Sequence, residues 1–302
     1  MEREHSLQSR NVALEDLRDV LREELQPRHE GDTLIPRHLY ALIEMAIEGE
    51  ERASIKDKLR RCSCEPLFME PHYRELRHYG PLLVSGMNRD DDVLLDIWGQ
   101  SHGDIIYAWI VSELSDHAMA EHLRPARFIR DKDTPYLLRF YDPLVTPVLH
   151  KVADKKWVEW LFAPMVSWWY PVATPQEETW SRIEGGGASR SSRGIQLMLT
   201  EELSEALKND PFPYRLLNTV EQMLPSVFES DCFGARLAKI EDLLEAGRKR
   251  NLSKEDDLTD YVLRLLEKPE LERSHFWQEA VRKAAAGSSS LAGLLRRMET
   301  LI

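Results

Sequence analysis

Two textures divide this chain, and the place where one gives way to the other limits its fold more than any other feature. Up to about residue 175, short apolar runs rich in β-branched and aromatic residues alternate with amphipathic stretches. Beyond Gly194 helical periodicity takes over almost completely. Alternation of this kind predicts an α/β or α+β lobe built on a mixed sheet, followed by an all-α lobe. The layout expected is an N-terminal helix over 1–30, an α/β lobe over 31–184, a flexible Gly/Ser loop over 185–194 and a helical lobe over 195–302.

Within the first lobe, "GPLLVSG" from Gly80 and "DIIYAWIVS" from Asp104 have the composition of buried strands. "LYALIE" from Leu39 reads as a strand or the start of a helix, and periodicity does not choose between them. Val93, Leu94, Ile97 and Trp98 fall at helical spacing, as do Leu14, Leu17, Leu21 and Leu25 near the start. "RHEGDT" after that first helix reads as a polar loop. Ser115 is placed to cap the helix "DHAMAEHLRPA". "RFIR" and "YLLRFY" flank turn residues, which predicts a hairpin. "DKKWVEWLF" puts Trp157, Trp160 and Leu161 on one helical face. In the helical lobe, Thr200 caps "EELSEAL", and Ser253 with Asp256 resembles a capping box.

The formal net charge of −12 argues against a general nucleic-acid binder, because phosphate affinity needs an excess of Lys and Arg. The longest apolar stretch, Trp157 to Tyr170, is broken by Glu159 and Pro164, short of the roughly 20 apolar residues that span a bilayer. "MEREHSLQSR" lacks the apolar core of a signal peptide, so a cytoplasmic protein without membrane insertion is expected. Three cysteines, Cys62, Cys64 and Cys232, fit a reducing compartment and are too sparse for zinc. Neither a metal nor a cofactor is expected.

Candidate chemistry is thin. "SHGD", Ser101 to Asp104, gathers three catalytic residue types, but neighbours in sequence rarely face one another, and turn chemistry accounts for them. "RDDD", Arg89 to Asp92, lacks the spacing of a calcium loop and suits a helix N-terminus. His117 and His122 are five apart and do not share a helical face. "EGGGASRSSRG" lacks the Gly-Lys-Ser/Thr ending of a phosphate loop. "SWWYP" is the strongest aromatic cluster. As a strand it sends Trp168 and Trp169 to opposite faces, which fits either a filled core or a binding surface. Trp168, Trp169, Tyr170, Trp157 and Trp160 are accordingly the candidate partner-binding residues.

The run Arg139-Phe140-Tyr141-Asp142-Pro143 joins a predicted strand to a predicted helix, with Asp142 as its cap and Pro143 in its first turn. No nucleophile, base or metal set gathers near it in sequence. Arg139 is expected to pair with a carboxylate across the joint. At "LLRFYDPLV" the chain resembles the type VI secretion effector chaperones, the Tap or TEC adaptor family. "LYALIE", "CEPLFMEPHYRELRHYGPLLVSG", "WGQSHGDIIYAWIVS", the helix with His122-Leu123-Arg124, "WVEWLFAPMVSWW" and "LTEELSEAL" follow in the family's order. The likeness covers roughly Pro36 to Asn209. The first helix lies outside it, the Gly/Ser run falls where strand or turn is expected, and the last ninety or so residues carry no matching motif. The resemblance implies a non-catalytic, cytoplasmic chaperone that holds an effector, usually by its N-terminal region, and helps load it onto the VgrG spike. Rival readings are an immunity protein that masks a basic toxin and a hydrolase that uses "SHGD".

Overall fold

The computed structural model describes residues 11–45, 55–69, 73, 75, 79–86, 91–98, 106–174, 178–188, 190, 194–208, 210, 212–230 and 233–299. They fall into two compact units, Met1–Val172 with Thr179–Lys208, and Ala173–Glu178 with Asn209–Ile302. The N-terminal helix and residues 195–208 thus group with the sheet, and the second unit takes the chain from 209 onward together with 173–178.

The first unit is built on a seven-stranded sheet ordered β1-β11-β10-β7-β4-β6-β5. These strands are β1 (Asn11–Ala13), β4 (His38–Ile43), β5 (Cys62–Pro66), β6 (Leu82–Gly86), β7 (Ile106–Ser112), β10 (Met165–Ala173) and β11 (Glu178–Glu184). "LYALIE" resolves as β4, whose residues are buried on both sides and which pairs antiparallel with β6 and β7. "RHEGDT", expected as a loop, forms a hairpin of β2 (Arg28–Glu30) and β3 (Thr33–Ile35). Gly31 takes its turn at φ +60°, a conformation glycine adopts without strain.

The sheet is covered on both faces, and side-chain alternation sorts its residues between them. On one face Tyr40, Leu42, Ala108, Ile110 and Trp168 pack with α3 (Asp116–Leu123), α4 (Thr146–Val152), α5 (Lys155–Phe162) and α6 (Glu201–Ala206). On the other, Leu39, Ala41, Trp109, Val111 and Trp169 pack with Leu17 and Leu21 of α1 (Leu14–Glu24) and with Leu94 and Leu95 of α2 (Asp91–Trp98). The first helix is therefore part of the body. Its Glu24 closes it down, accepting hydrogen bonds from Ser167, from the Trp169 indole at 2.9 Å and from Arg182 at 2.7 Å.

A smaller mixed sheet ordered β12-β8-β9 joins β8 (Phe128–Asp131), β9 (Thr134–Leu137) and the short β12 (Leu197–Met198). β8 and β9 form the expected hairpin around Lys132, whose φ is +54°. β12 runs parallel to β8. The caps at Ser115 and Thr200 form as read, Ser115 accepting from the Ala118 amide and Thr200 from the Leu203 amide. Asp154 caps α5 through the Lys156 and Trp157 amides.

The glycine run does not behave as a free linker. The amides of Gly185, Gly186, Gly187 and Ala188 donate to the carbonyls of Val166, Phe162, Met165 and Ala163 at 2.7–3.2 Å. Two of those carbonyls close the end of α5, where a helix leaves its acceptors without partners. A Cβ on Gly185 would overlap the Met165 carbonyl and stand 2.7 Å from that of Phe162. Only glycine lets the chain run this close.

The helical unit comprises α7 (Phe212–Met223), α8 (Phe233–Lys249), α9 (Glu255–Glu267), α10 (His275–Ala285) and α11 (Leu291–Glu299) around a core that includes Leu216, Ile240, Tyr261 and Trp277. α9 starts after Lys254 with no side-chain cap, so Ser253 and Asp256 make no capping box. The buried Asp257 serves a different helix, accepting from the Leu291 amide at 2.7 Å at the start of α11.

Candidate functional site

The motif at 139–143 follows the end of β9 and lies in a turn. The Asp142 carbonyl accepts from the amides of Val145 and Thr146, and its carboxylate from Leu144 at 3.0 Å. α4 begins only at Thr146, so Asp142 caps the turn rather than the helix, and Pro147, not Pro143, occupies the helix's first turn. Thr146 locks the corner by donating to the Phe140 carbonyl at 2.8 Å.

Around this turn a polar cluster closes onto the end of β4. The Tyr141 hydroxyl donates to Glu44 at 2.9 Å, and the same carboxylate accepts from the Met45 amide. Arg139 stands 3.4 Å from Glu44 and 3.6 Å from Asp142, and donates to the Tyr107 hydroxyl at 3.3 Å. Its guanidinium lies over the rings of Tyr107 and Tyr141, which stack at 5.9 Å. Arg139 thus finds the carboxylate expected of it. Its side chain remains 52% exposed, while Phe140 is fully buried against Tyr141 and Trp168.

Electrostatics act on the two phenols and the guanidinium of this cluster. Burial, and then the Glu44 carboxylate, push the Tyr141 phenol far above its usual range. Burial also raises Tyr107, although Arg139 works against it. Burial opposes the charge on Arg139, but Tyr107, Tyr141, Asp142 and Glu44 together outweigh it and raise its pKa. These two phenols and the guanidinium are thereby held away from the near-neutral pKa that general acid–base work requires. What the geometry provides is a brace between this turn and the end of β4. Removing one hydroxyl tests this: Tyr141→Phe takes the phenol donor from a Glu44 oxygen that keeps only Arg139 beside it, and is expected to cost about 1 kcal/mol in urea denaturation.

The five candidate partner-binding residues lie elsewhere and are not an exposed surface. Trp157, Trp160, Trp168 and Trp169 are buried, all but Trp160 completely, and Tyr170 is half-buried. Trp168 and Trp169 do point to opposite faces, but both faces carry helices, so each ends in core. The partner-binding assignment of these tryptophans gives way to a structural one, because a partner reaches them only by opening the unit.

"SHGD" lies outside the described residues, as do Arg89, Asp90 and Cys232. Among the described residues no group of three or more His, Cys, Asp or Glu is placed to hold a metal ion. Cys62 is buried and Cys64 exposed, and both are reduced thiols. His122 is buried with its Nε2 at 2.9 Å from the Leu161 carbonyl, and burial lowers its pKa, so it sits as a neutral donor. The helical unit has an open groove of about 410 Å³ lined by Phe228, Lys239, Leu243 and Leu265 among others. No described helix is long and apolar enough to cross a membrane. Sequence reading missed Glu44 and Tyr107. The one available sign of the first was a carboxylate closing an otherwise apolar strand.

A sheet with helices on both faces, a motif-bearing turn braced against β4 and a separate helical unit define a two-unit α+β protein. Residues 39–159, from β4 into α5, match the family model described as a domain of unknown function, DUF4123. That family is known as the type VI secretion effector chaperone and adaptor (Tap/TEC) domain, and the matched span covers about two fifths of this chain. A search of curated proteins and a search of solved structures return no match.

Proposed function

We propose that this protein is a non-catalytic, cytoplasmic adaptor that binds a type VI secretion effector by its N-terminal region and promotes its loading onto the VgrG spike. The observation that carries the reading is the DUF4123 match, whose span includes the braced turn. The electrostatics of that turn support it, since Tyr107, Tyr141 and Arg139 are poor acid–base catalysts but firm structural contacts.

The test is deletion of the gene in its host. The effector is expected to disappear from the secreted fraction while the spike is still secreted, with the adaptor itself remaining in the cells of the complemented strain. Unchanged effector secretion contradicts the proposal. Self-intoxication of the deletion strain with secretion intact favours an immunity protein.

A further inference from the structure

We propose that the free edge of β9 is a docking site for an extended segment of a partner protein, which adds to the small sheet as a fourth strand. Among the described residues β9 is the end strand of that sheet, and all four of its own residues are exposed. The Leu138 amide donates to the Arg127 carbonyl at 2.7 Å, which sets the phase of the β8–β9 ladder. With Phe128 opposite Leu137 and Arg130 opposite Pro135, both those pairs are the non-hydrogen-bonded kind. The backbone groups of Pro135 and Leu137 therefore point away from β8. The edge offers two carbonyls and one amide, that of Leu137.

The side chains beside this edge define the occupant. Pro135 and Leu137 share a face with Phe128, Arg130 and Met198 across the sheet, and Leu137 and Met198 are each 47% exposed. Arg130 is exposed, with no ion pair among the described residues. Strands lie about 4.8 Å apart, so a carboxylate facing Pro135 stands within reach of Arg130 one strand further in. The fitting segment is extended, with an apolar side chain opposite Leu137 and an acidic one opposite Pro135, two residues apart. A second copy of this chain fits less well. Pro135 has no amide to give, so pairing β9 with itself in the register that aligns Pro135 with Leu137 leaves a carbonyl unmatched on each side.

The surface stands on the geometry of the edge, and only the identity of the partner rests on the adaptor reading. The experiment selects ten-residue peptides displayed on phage against the purified full chain, then measures the best binder against variants. Enriched peptides are expected to alternate, with an apolar residue and Asp or Glu two positions apart. Leu137→Pro removes the only outward amide without touching the β8–β9 ladder and is expected to weaken binding at least tenfold. Arg130→Glu is expected to do the same through charge, and both variants should retain the wild-type melting behaviour. Peptides without this pattern, no enriched peptide, affinity indifferent to both variants, or self-association through β9 would each overturn the site. If the wild type captures effector and spike and Leu137→Pro captures them equally, the edge proposal fails while the adaptor reading stands. If peptides dock as described but no effector is captured, the reverse holds.

Discussion

Trp168→Ala is expected to destabilise the sheet-bearing unit by about 3–5 kcal/mol, the range for emptying a large aromatic site in a packed core. Trp168 is fully buried among Phe140, Phe162 and the core of the α3–α6 face, with ring centroids of Phe162 and Phe140 at 5.8 and 6.2 Å. Its indole nitrogen has no hydrogen-bond partner, so its contribution comes from packing alone. Trp168→Phe should therefore lose much less than the alanine variant. Trp169 differs, because its indole donates to Glu24 and ties β10 to α1. Urea denaturation followed by circular dichroism measures the effect. A Trp168→Ala protein of native stability that had lost only a binding activity would return this residue to the interaction surface.

The second large effect concerns the glycine run. Gly185→Ala places a methyl group against the Met165 and Phe162 carbonyls, both backbone atoms that cannot rotate away. Overpacking of this kind typically costs 1–3 kcal/mol and occasionally more. The upper end, about 3 kcal/mol, is expected here because the amides of Gly185 to Ala188 all pair with carbonyls between Phe162 and Val166. Gly187→Ala probes a different constraint. Its added Cβ meets nothing within 4 Å, but its φ of +60° is strained for alanine, so about 1 kcal/mol is expected. If Gly185→Ala is as stable as the wild type, the run is the flexible loop that its composition suggested.

Local signals carried most of the architecture. Glycine-bounded apolar runs marked β6, aromatic and β-branched composition marked β7, and hydroxyl caps marked the starts of α3 and α6. Period alone left β4 ambiguous, because a strand buried on both faces loses its polar alternation. The same property explains the tryptophans. "MVSWWYP" is apolar or aromatic at every position but Ser167, which suits a strand enclosed by two layers, but whether helices lie on both sides depends on elements distant in the chain. The Gly/Ser run was misleading for a related reason. Glycine permits flexibility and close approach alike, and only the neighbouring α5 carbonyls decide between them. At the motif turn, Arg139 and Asp142 were legible as a joint. Glu44, 97 residues away from Tyr141 in sequence, was not, because nothing local announces so distant a partner.

On the function proposed above, this chain joins two other proteins without transforming either. Mixing the purified chain with its neighbouring effector and VgrG, and resolving the mixture by size-exclusion chromatography, tests that claim most directly. The account predicts that effector and spike co-elute as one complex only when the chain is present, and that both are recovered chemically unchanged. Co-elution of effector and spike without the chain, or binding of the chain to neither, would contradict it.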